Sequence, residues 1–189
     1  MATGKSARKS PRKSAPKRPR KSSIVKLRRP RPITLWINHL ALLPGDPSVT
    51  TTCNLVSSGV GSGLSGLVVQ SSTMGGMAMG GGGKGLQMGV QVPPGFLIKG
   101  VRVCYELTNA RSFVSQVRLA QLQDPPATAL VLLDDPTHLT TVGPICVNSQ
   151  STTVDPAAGA VRLNIFVNFG DTNDVIVIRG VGLRLAEAP

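Results

Sequence analysis

Between Ile33 and Pro189 the chain is cut every few residues by proline, glycine and aspartate, and that punctuation excludes most folds at once. Pro44-Gly45-Asp46-Pro47, Pro93-Pro94-Gly95, Asp124-Pro125-Pro126, Asp155-Pro156 and Gly170-Asp171 are turn chemistry. Proline presets φ and removes a donor, glycine adopts φ values other residues avoid, and aspartate bonds its own backbone. The apolar segments between them read as strands at Ile33 to Leu42, Val49 to Val56, Leu64 to Ser72, Leu86 to Val92, Phe96 to Leu107, Phe113 to Leu122, Ala129 to Leu133, Val161 to Phe169 and Val175 to Leu185. A short helix around Asp124 to Asp134 is the one helical alternative.

Several segments alternate as half-buried antiparallel strands do. Val101, Val103, Tyr105 and Leu107 point one way, with Arg102, Cys104 and Glu106 opposite. Val161, Leu163, Ile165, Val167 and Phe169 share one face, with Arg162, Asn164 and Asn168 on the other. A parallel sheet would need intervening helices, and no window carries the 3.6-residue period. The fold class expected is therefore all-β: an antiparallel eight-stranded β-sandwich, a single jelly roll, rather than a seven-stranded immunoglobulin type. Trp36 also precedes every cysteine, which departs from the immunoglobulin order of Cys, Trp, Cys.

The residues before this domain differ in kind. Lys5, Arg8, Lys9, Arg12, Lys13, Lys17, Arg18, Arg20, Lys21, Lys26, Arg28, Arg29 and Arg31 form a run of thirteen cations without one acid, leaving eight basic and nine acidic groups for the rest of the chain. The net charge of +12 is thus concentrated in residues 1–32, expected as a disordered basic arm, with residues 33–189 as the sandwich domain. Up to Ser23 only Met1, Ala2, Ala7 and Ala15 are apolar, too little to offset roughly 1–2 kcal/mol of backbone entropy per ordered residue. Prolines at 11, 16, 19, 30 and 32 keep the segment extended.

A secretory signal needs an apolar core of roughly 7–15 residues, which the arm lacks. A transit peptide needs an amphipathic helix that the prolines forbid, and a membrane surface would find nothing apolar to insert. Phosphates suit a flexible polycation, so the thirteen cations are the candidate nucleic-acid-binding residues, RNA before DNA, without base recognition. Arg-Lys-Ser recurs at 8–10, 12–14 and 20–22, and Lys17-Arg18-Pro19-Arg20-Lys21 equally fits a nuclear localisation signal.

Catalytic chemistry finds little footing. His39 and His138 are about a hundred residues apart, and Cys53, Cys104 and Cys146 lack zinc spacing. All three cysteines are expected as buried, reduced thiols, because an odd count without a signal peptide argues against a disulfide framework. Gly80-Gly81-Gly82-Gly83-Lys84-Gly85 fails the phosphate-loop pattern, with Ala78 where a glycine is needed and Gly85 where Ser or Thr is needed. The sixteen residues from Met74 to Gly89 hold eight glycines and four methionines, and read as a mobile loop that could order on self-assembly. Asp171 and Asp174, in Gly170-Asp171-Thr172-Asn173-Asp174, are candidate calcium ligands or else a hairpin turn built from Asp and Asn.

With its basic, proline-punctuated arm and one eight-stranded sandwich, the layout resembles the coat proteins of small icosahedral viruses, above all plant RNA viruses and their satellites. The resemblance implies a non-enzymatic capsid protein that self-assembles as a large homo-oligomer around nucleic acid, is found in the virion, and holds no cofactor beyond calcium between subunits. Ser10-Pro11-Arg12-Lys13 resembles linker-histone and sperm-histone tails, and implies the alternative: a nuclear, chromatin-associated protein whose arm is tuned by phosphorylation of Ser10.

Overall fold

The computed structural model describes Met1 and residues 33–54, 66–123 and 128–188. The arm expected over residues 1–32 lies, Met1 apart, outside the described residues. The chain forms β1 (Ile33–Ile37), β2 (Leu43–Pro44), β3 (Val49–Asn54), β4 (Gly66–Ser71), β5 (Gly85–Val90), β6 (Phe96–Leu107), β7 (Phe113–Gln123), β8 (Ala129–Asp135), β9 (Ile145–Asn148), β10 (Gly159–Asn168) and β11 (Ile176–Glu187). All pairings are antiparallel.

One sheet runs β3-β4-β11-β6-β9, and the other β2-β5-β10-β7-β8. The first counts six strands because β11 is long enough to pair with β4 at Ile176–Ile178 and then with β1 from Val181 to Leu185. Counted from β4, the eight strands of the two sheets interleave as β4-β11-β6-β9 and β5-β10-β7-β8, the jelly-roll order. The expected antiparallel sandwich is therefore the observed fold, with β1, β2 and β3 added to the eight-stranded roll.

The core lies where the alternation put it. Val101, Val103, Tyr105 and Leu107 of β6 and Val161, Leu163, Ile165 and Val167 of β10 are all buried, facing one another between the sheets. In β11 a bulge between Ile178 and Gly180 spaces two inward residues, Ile178 and Val181, three apart. From there Val181, Leu183 and Leu185 point inward, and Gly180, Gly182 and Arg184 point out.

Four expectations need correction. The apolar run Ile33 to Leu42 is not one strand: a 3-10 turn at His39–Ala41 carries the chain from the six-stranded sheet to β2 in the other. The suggested helix at 124–134 is strand β8 from Ala129 onward, where pairing with β7 overrides local preference; residues 124–127 lie outside the described residues. Strand β9, four residues behind a cis Gly143-Pro144 bond, had no counterpart in the sequence reading. It places Cys146 opposite Cys104 in the β6–β9 ladder, with Cα atoms 3.9 Å apart, and the two form a disulfide, while Cys53 is free and exposed on β3. Adjacency across a ladder decided this, and a separation of 42 residues hid it.

The stretch from Met74 to Gly89 is not a free loop. Lys84 is fully buried, and its ammonium donates to Ser71 Oγ (3.0 Å) and to the carbonyls of Thr73 (2.6 Å) and Met74 (3.2 Å). Burial holds its pKa below the ordinary lysine value, with nearby Asp46 opposing that shift. Asp46, itself buried, accepts from the Met79 amide at 2.8 Å, and Gly75 exchanges backbone bonds with Phe169. Gly83 is required because a Cβ there would stand 2.7 Å from the Phe166 ring. The side chains of Met74, Met77 and Met79 remain exposed on this anchored backbone.

Candidate binding face

The outer face of the six-stranded sheet is the most open concentration of chemistry among the described residues. Strand β1 alternates: Leu35 and Ile37 pack against the core, which turns Thr34 and Trp36 outward. Register then aligns Trp36 with Gly182, Gly182 with Arg102, and Arg102 with Asn148, giving a straight row across β1, β11, β6 and β9. The row beside it runs Thr34, Arg184, Gly100.

Glycine makes this face possible. A Cβ on Gly180 would stand 3.3 Å from Trp36 Cζ3, and one on Gly182 would stand 3.3 Å from Trp36 Cε3 and 2.7 Å from Thr34 Cγ2. The indole therefore lies against bare backbone, where any side chain would lift it. Trp36 is the chain's only tryptophan, and 55% of its surface is exposed. Tryptophan normally buries most of its large apolar ring, so one held in place by the sheet and left this open is unusual.

Polar groups flank the ring on both sides. A groove of about 260 Å³ between β1 and β5 is lined by Trp36, Ile37, Asn38, Met88, Val90 and Gln91. Beyond Gly182 stand Arg102, half-buried, and Asn148, exposed. The Arg184 guanidinium extends over Gly100, its Nη1 3.6 Å from where a Cβ would be. Neither Arg102 nor Arg184 has a carboxylate partner among the described residues. Glu106 on the same face is buried and ion-paired with Arg179.

The residues singled out from sequence are distributed otherwise. The thirteen cations from Lys5 to Arg31 lie outside the described residues. Asp171 and Asp174 are brought together, but on a guanidinium: Arg111 bonds Asp174 through Nε at 2.8 Å and Nη2 at 3.1 Å, and approaches Asp171 at 3.2 Å. Ser112 Oγ also donates to Asp174 at 2.6 Å, and Asp171 caps the Asn173 amide at 2.9 Å. The Arg111 bonds, then those of Ser112, hold the Asp174 carboxyl below the ordinary 3.8 although burial opposes them. As arranged, the pair has a cation where calcium would sit, and does not fit the ion. His138 stacks on Phe113 at 4.7 Å, and His39 lies in the 3-10 turn with its pKa lowered by burial. No group of three His, Cys, Asp or Glu side chains suited to a metal occurs among the described residues.

Sequence reasoning missed Trp36, Arg184 and Asn148 as a site. A signal existed: in Gly180-Val181-Gly182-Leu183-Arg184 glycine occupies the outward positions, and glycine in a strand marks a close approach by something lying on it.

No protein-family model matches the chain. No curated protein matches it significantly. Solved structures do match in fold. One carbohydrate-binding module of the β-sandwich superfamily is 15% identical with a TM-score of 0.47, covering 77% of this chain, which spans 57% of it. Carbohydrate-binding module CBM36, in complex with calcium and xylotriose, is 9% identical with a TM-score of 0.44, covering 80% of this chain and 98% of its own. The CBM22-1 xylan-binding domain of Paenibacillus barcinonensis Xyn10C is 8% identical with a TM-score of 0.45, covering 76% and 85%.

At these values the likeness is one of sandwich architecture. The modules named above are carbohydrate-binding modules, not coat proteins, and this corrects the capsid resemblance together with the function and partners it implied: shell assembly, self-association as a large homo-oligomer, and packaging of nucleic acid. The histone-like alternative is corrected with it. The physical reason is that strand rhythm specifies a jelly roll, and a jelly roll serves many functions.

Proposed function

We propose that the sandwich is a non-catalytic carbohydrate-binding module whose platform is the Trp36 row of the six-stranded sheet. The observation that carries this is the sole tryptophan, set over Gly180 and Gly182 and yet 55% exposed. A pyranose ring presents C–H groups on its faces and hydroxyls around its rim. An open indole packs against the first, and amides and guanidinium groups bond the second. Asn38 and Gln91 in the groove, and Arg102 and Asn148 beyond Gly182, stand where that rim would fall. Apolar contact plus a few convergent polar groups is the usual make-up of a small-ligand site.

The matched modules carry the same ligand class in their names, but the proposal rests on the face. Calcium at Asp171 and Asp174 would require Arg111 to swing away. Millimolar calcium is accordingly expected to leave Tm unchanged; a rise would assign the ion a place there.

Trp36 reports on its own site. Xylo-, gluco-, manno- and galacturono-oligosaccharides are titrated against the full chain while the tryptophan emission is recorded, and at least one class is expected to shift it saturably. Calorimetry on Trp36→Ala should then give at least about a tenfold weaker affinity, the loss expected for removing a stacking aromatic. No response to any class, or full binding by Trp36→Ala, would rule the platform out.

A further inference from the structure

We infer that the Trp36 platform selects acidic sugars, with Arg102 and Arg184 receiving the carboxylate of a uronic acid; this rests on the carbohydrate reading above and names its ligand class. Both arginines rise from the outward side of the sheet, on which Val101, Val103, Leu183 and Leu185 point the other way into the core. Arg184 reaches across from β11 until its Nη1 lies beside Gly100, two residues before Arg102 on the same side of β6. Residues two apart on a strand are separated by about 7 Å, so Arg102 and the Arg184 guanidinium occupy neighbouring places on one face and make a positive lobe of it.

The lobe has no internal counter-charge. Arg118 and Arg111 elsewhere each hold an aspartate, and Glu106 is neutralised by Arg179, whereas Arg102 and Arg184 lack a carboxylate partner among the described residues. The one acid of β11 is Glu187, three residues after Arg184 and opposite Phe96, and it forms no ion pair with Arg184. Two like charges brought together without a partner repel, and a bound anion removes that repulsion while accepting planar, bidentate bonds from the guanidinium groups.

Distance fits a single ligand to both features. Trp36 and Arg102 are two strands apart, about 10 Å between backbones, with only Gly182 between them. With no side chain on Gly182 to stand in the way, a ring stacked on Trp36 can direct a substituent past the edge of the indole to Arg102. A neutral sugar would offer the two guanidinium groups hydroxyls but no counter-charge.

The test uses the full chain at about 150 mM salt, where surface charges beyond roughly 8 Å are screened. Trp36 emission is followed with trigalacturonate and, separately, xylotriose; the basic arm contains no tryptophan, so anions that gather there do not produce the site's signal. Trigalacturonate is expected to bind at least about tenfold more tightly, the scale of charge-assisted hydrogen bonds. Arg102→Gln and Arg184→Gln should each remove most of that advantage, weakening trigalacturonate far more than xylotriose, with Arg102→Lys intermediate because it keeps charge and loses the fork. Equal affinity for the two sugars, or Gln variants that still prefer trigalacturonate, would overturn acid selection and leave the platform standing. Silence of Trp36 toward both sugars would overturn the platform itself, and acid selection with it.

Discussion

The two outer faces of the sandwich carry similar residue types put to different use. On the five-stranded sheet Arg118 donates to Asp134 at 3.0 Å and lies 5.2 Å above the Phe166 ring, Gln116 also bonds Asp134, and Arg162 reaches Gln87 at 3.3 Å. Its concavity of about 220 Å³ is lined mainly by Gly89, Ala120, Leu122, Ala129 and Ala160. Phe166 lies half-buried beneath Arg118, Arg118 is answered by Asp134, and Arg162 is satisfied by the Gln87 amide instead of an acid. On the six-stranded sheet the aromatic ring is open and two arginines have no acidic partner among the described residues. The difference teaches that composition does not distinguish a solvated face from a binding face; the pairing of its groups does.

The largest effect expected on this contrast comes from the disulfide. Cys104 and Cys146 lie on the outward side of the six-stranded sheet, next to Arg102 and Asn148, and close a loop of 42 residues. In the chain-entropy model a loop of that size contributes about 4 kcal/mol. Urea unfolding of a Cys104→Ala, Cys146→Ala variant should register a loss approaching that figure, and Cys53→Ser, changing an exposed thiol, should register none. Hydrogen exchange would locate the change: amides of β9 and β6 should exchange faster while those of β5 and β10 hold. Equal loosening of both sheets would break the comparison.

Next comes the floor under the indole. Gly182→Val would force side-chain atoms into Thr34 and Trp36, since even its Cβ would stand 2.7 Å from Thr34 Cγ2. Overpacking of this kind costs about 1–3 kcal/mol, and here it also tilts the platform. Chemical denaturation and the Trp36 emission maximum should move together. A variant that is destabilised yet binds sugar normally would separate the glycine floor from the site.

How much of this was legible in the sequence follows from the range of the forces involved. The cores of β6 and β10 could be read because period-2 alternation is local, and one buried face enforces it; in β11 the bulge after Ile178 interrupts that alternation. The turns at Pro93-Pro94-Gly95 and Gly170-Asp171 were legible for the same reason. Strand β9, the disulfide and the Lys84 anchor depend on which segments become neighbours, and four residues behind Gly143-Pro144 carry too little pattern to reveal that. The row of Trp36, Gly182, Arg102 and Asn148 is drawn from four strands by register alone. Outward glycines on β11 were its single local trace.

At the rim, acid provides a smaller probe. The Asp174 carboxyl is held below its ordinary 3.8, chiefly by Arg111, so its contribution is complete above pH 3.8 and is lost as pH falls further toward the folded-state value. Asp174→Asn should therefore lower stability at neutral pH, and the gap to the parent chain should close below pH 3.8. Thermal melts across that range check this. A gap independent of pH would mean that the pair acts through packing and not through charge, and the contrast between a buried paired acid and the exposed Asp134 would lose its basis.

The smallest effect belongs to the five-stranded face, and it is the control for all the others. Arg118 and Asp134 are both substantially exposed, at 33% and 47% of their side chains, and an ion pair in water contributes about 0.2–1 kcal/mol. Removing it by Arg118→Ala uncovers Phe166 and frees Asp134, so it creates on this sheet an open ring beside an unpaired charge. If openness and missing partners are what make a binding face, this variant should keep its Tm within a few degrees and leave trigalacturonate affinity at Trp36 within about twofold. The charge it frees is negative, so the new opening should still reject the acidic sugar. A loss of trigalacturonate binding in Arg118→Ala would place the ligand on the wrong sheet and reverse the assignment of the two faces.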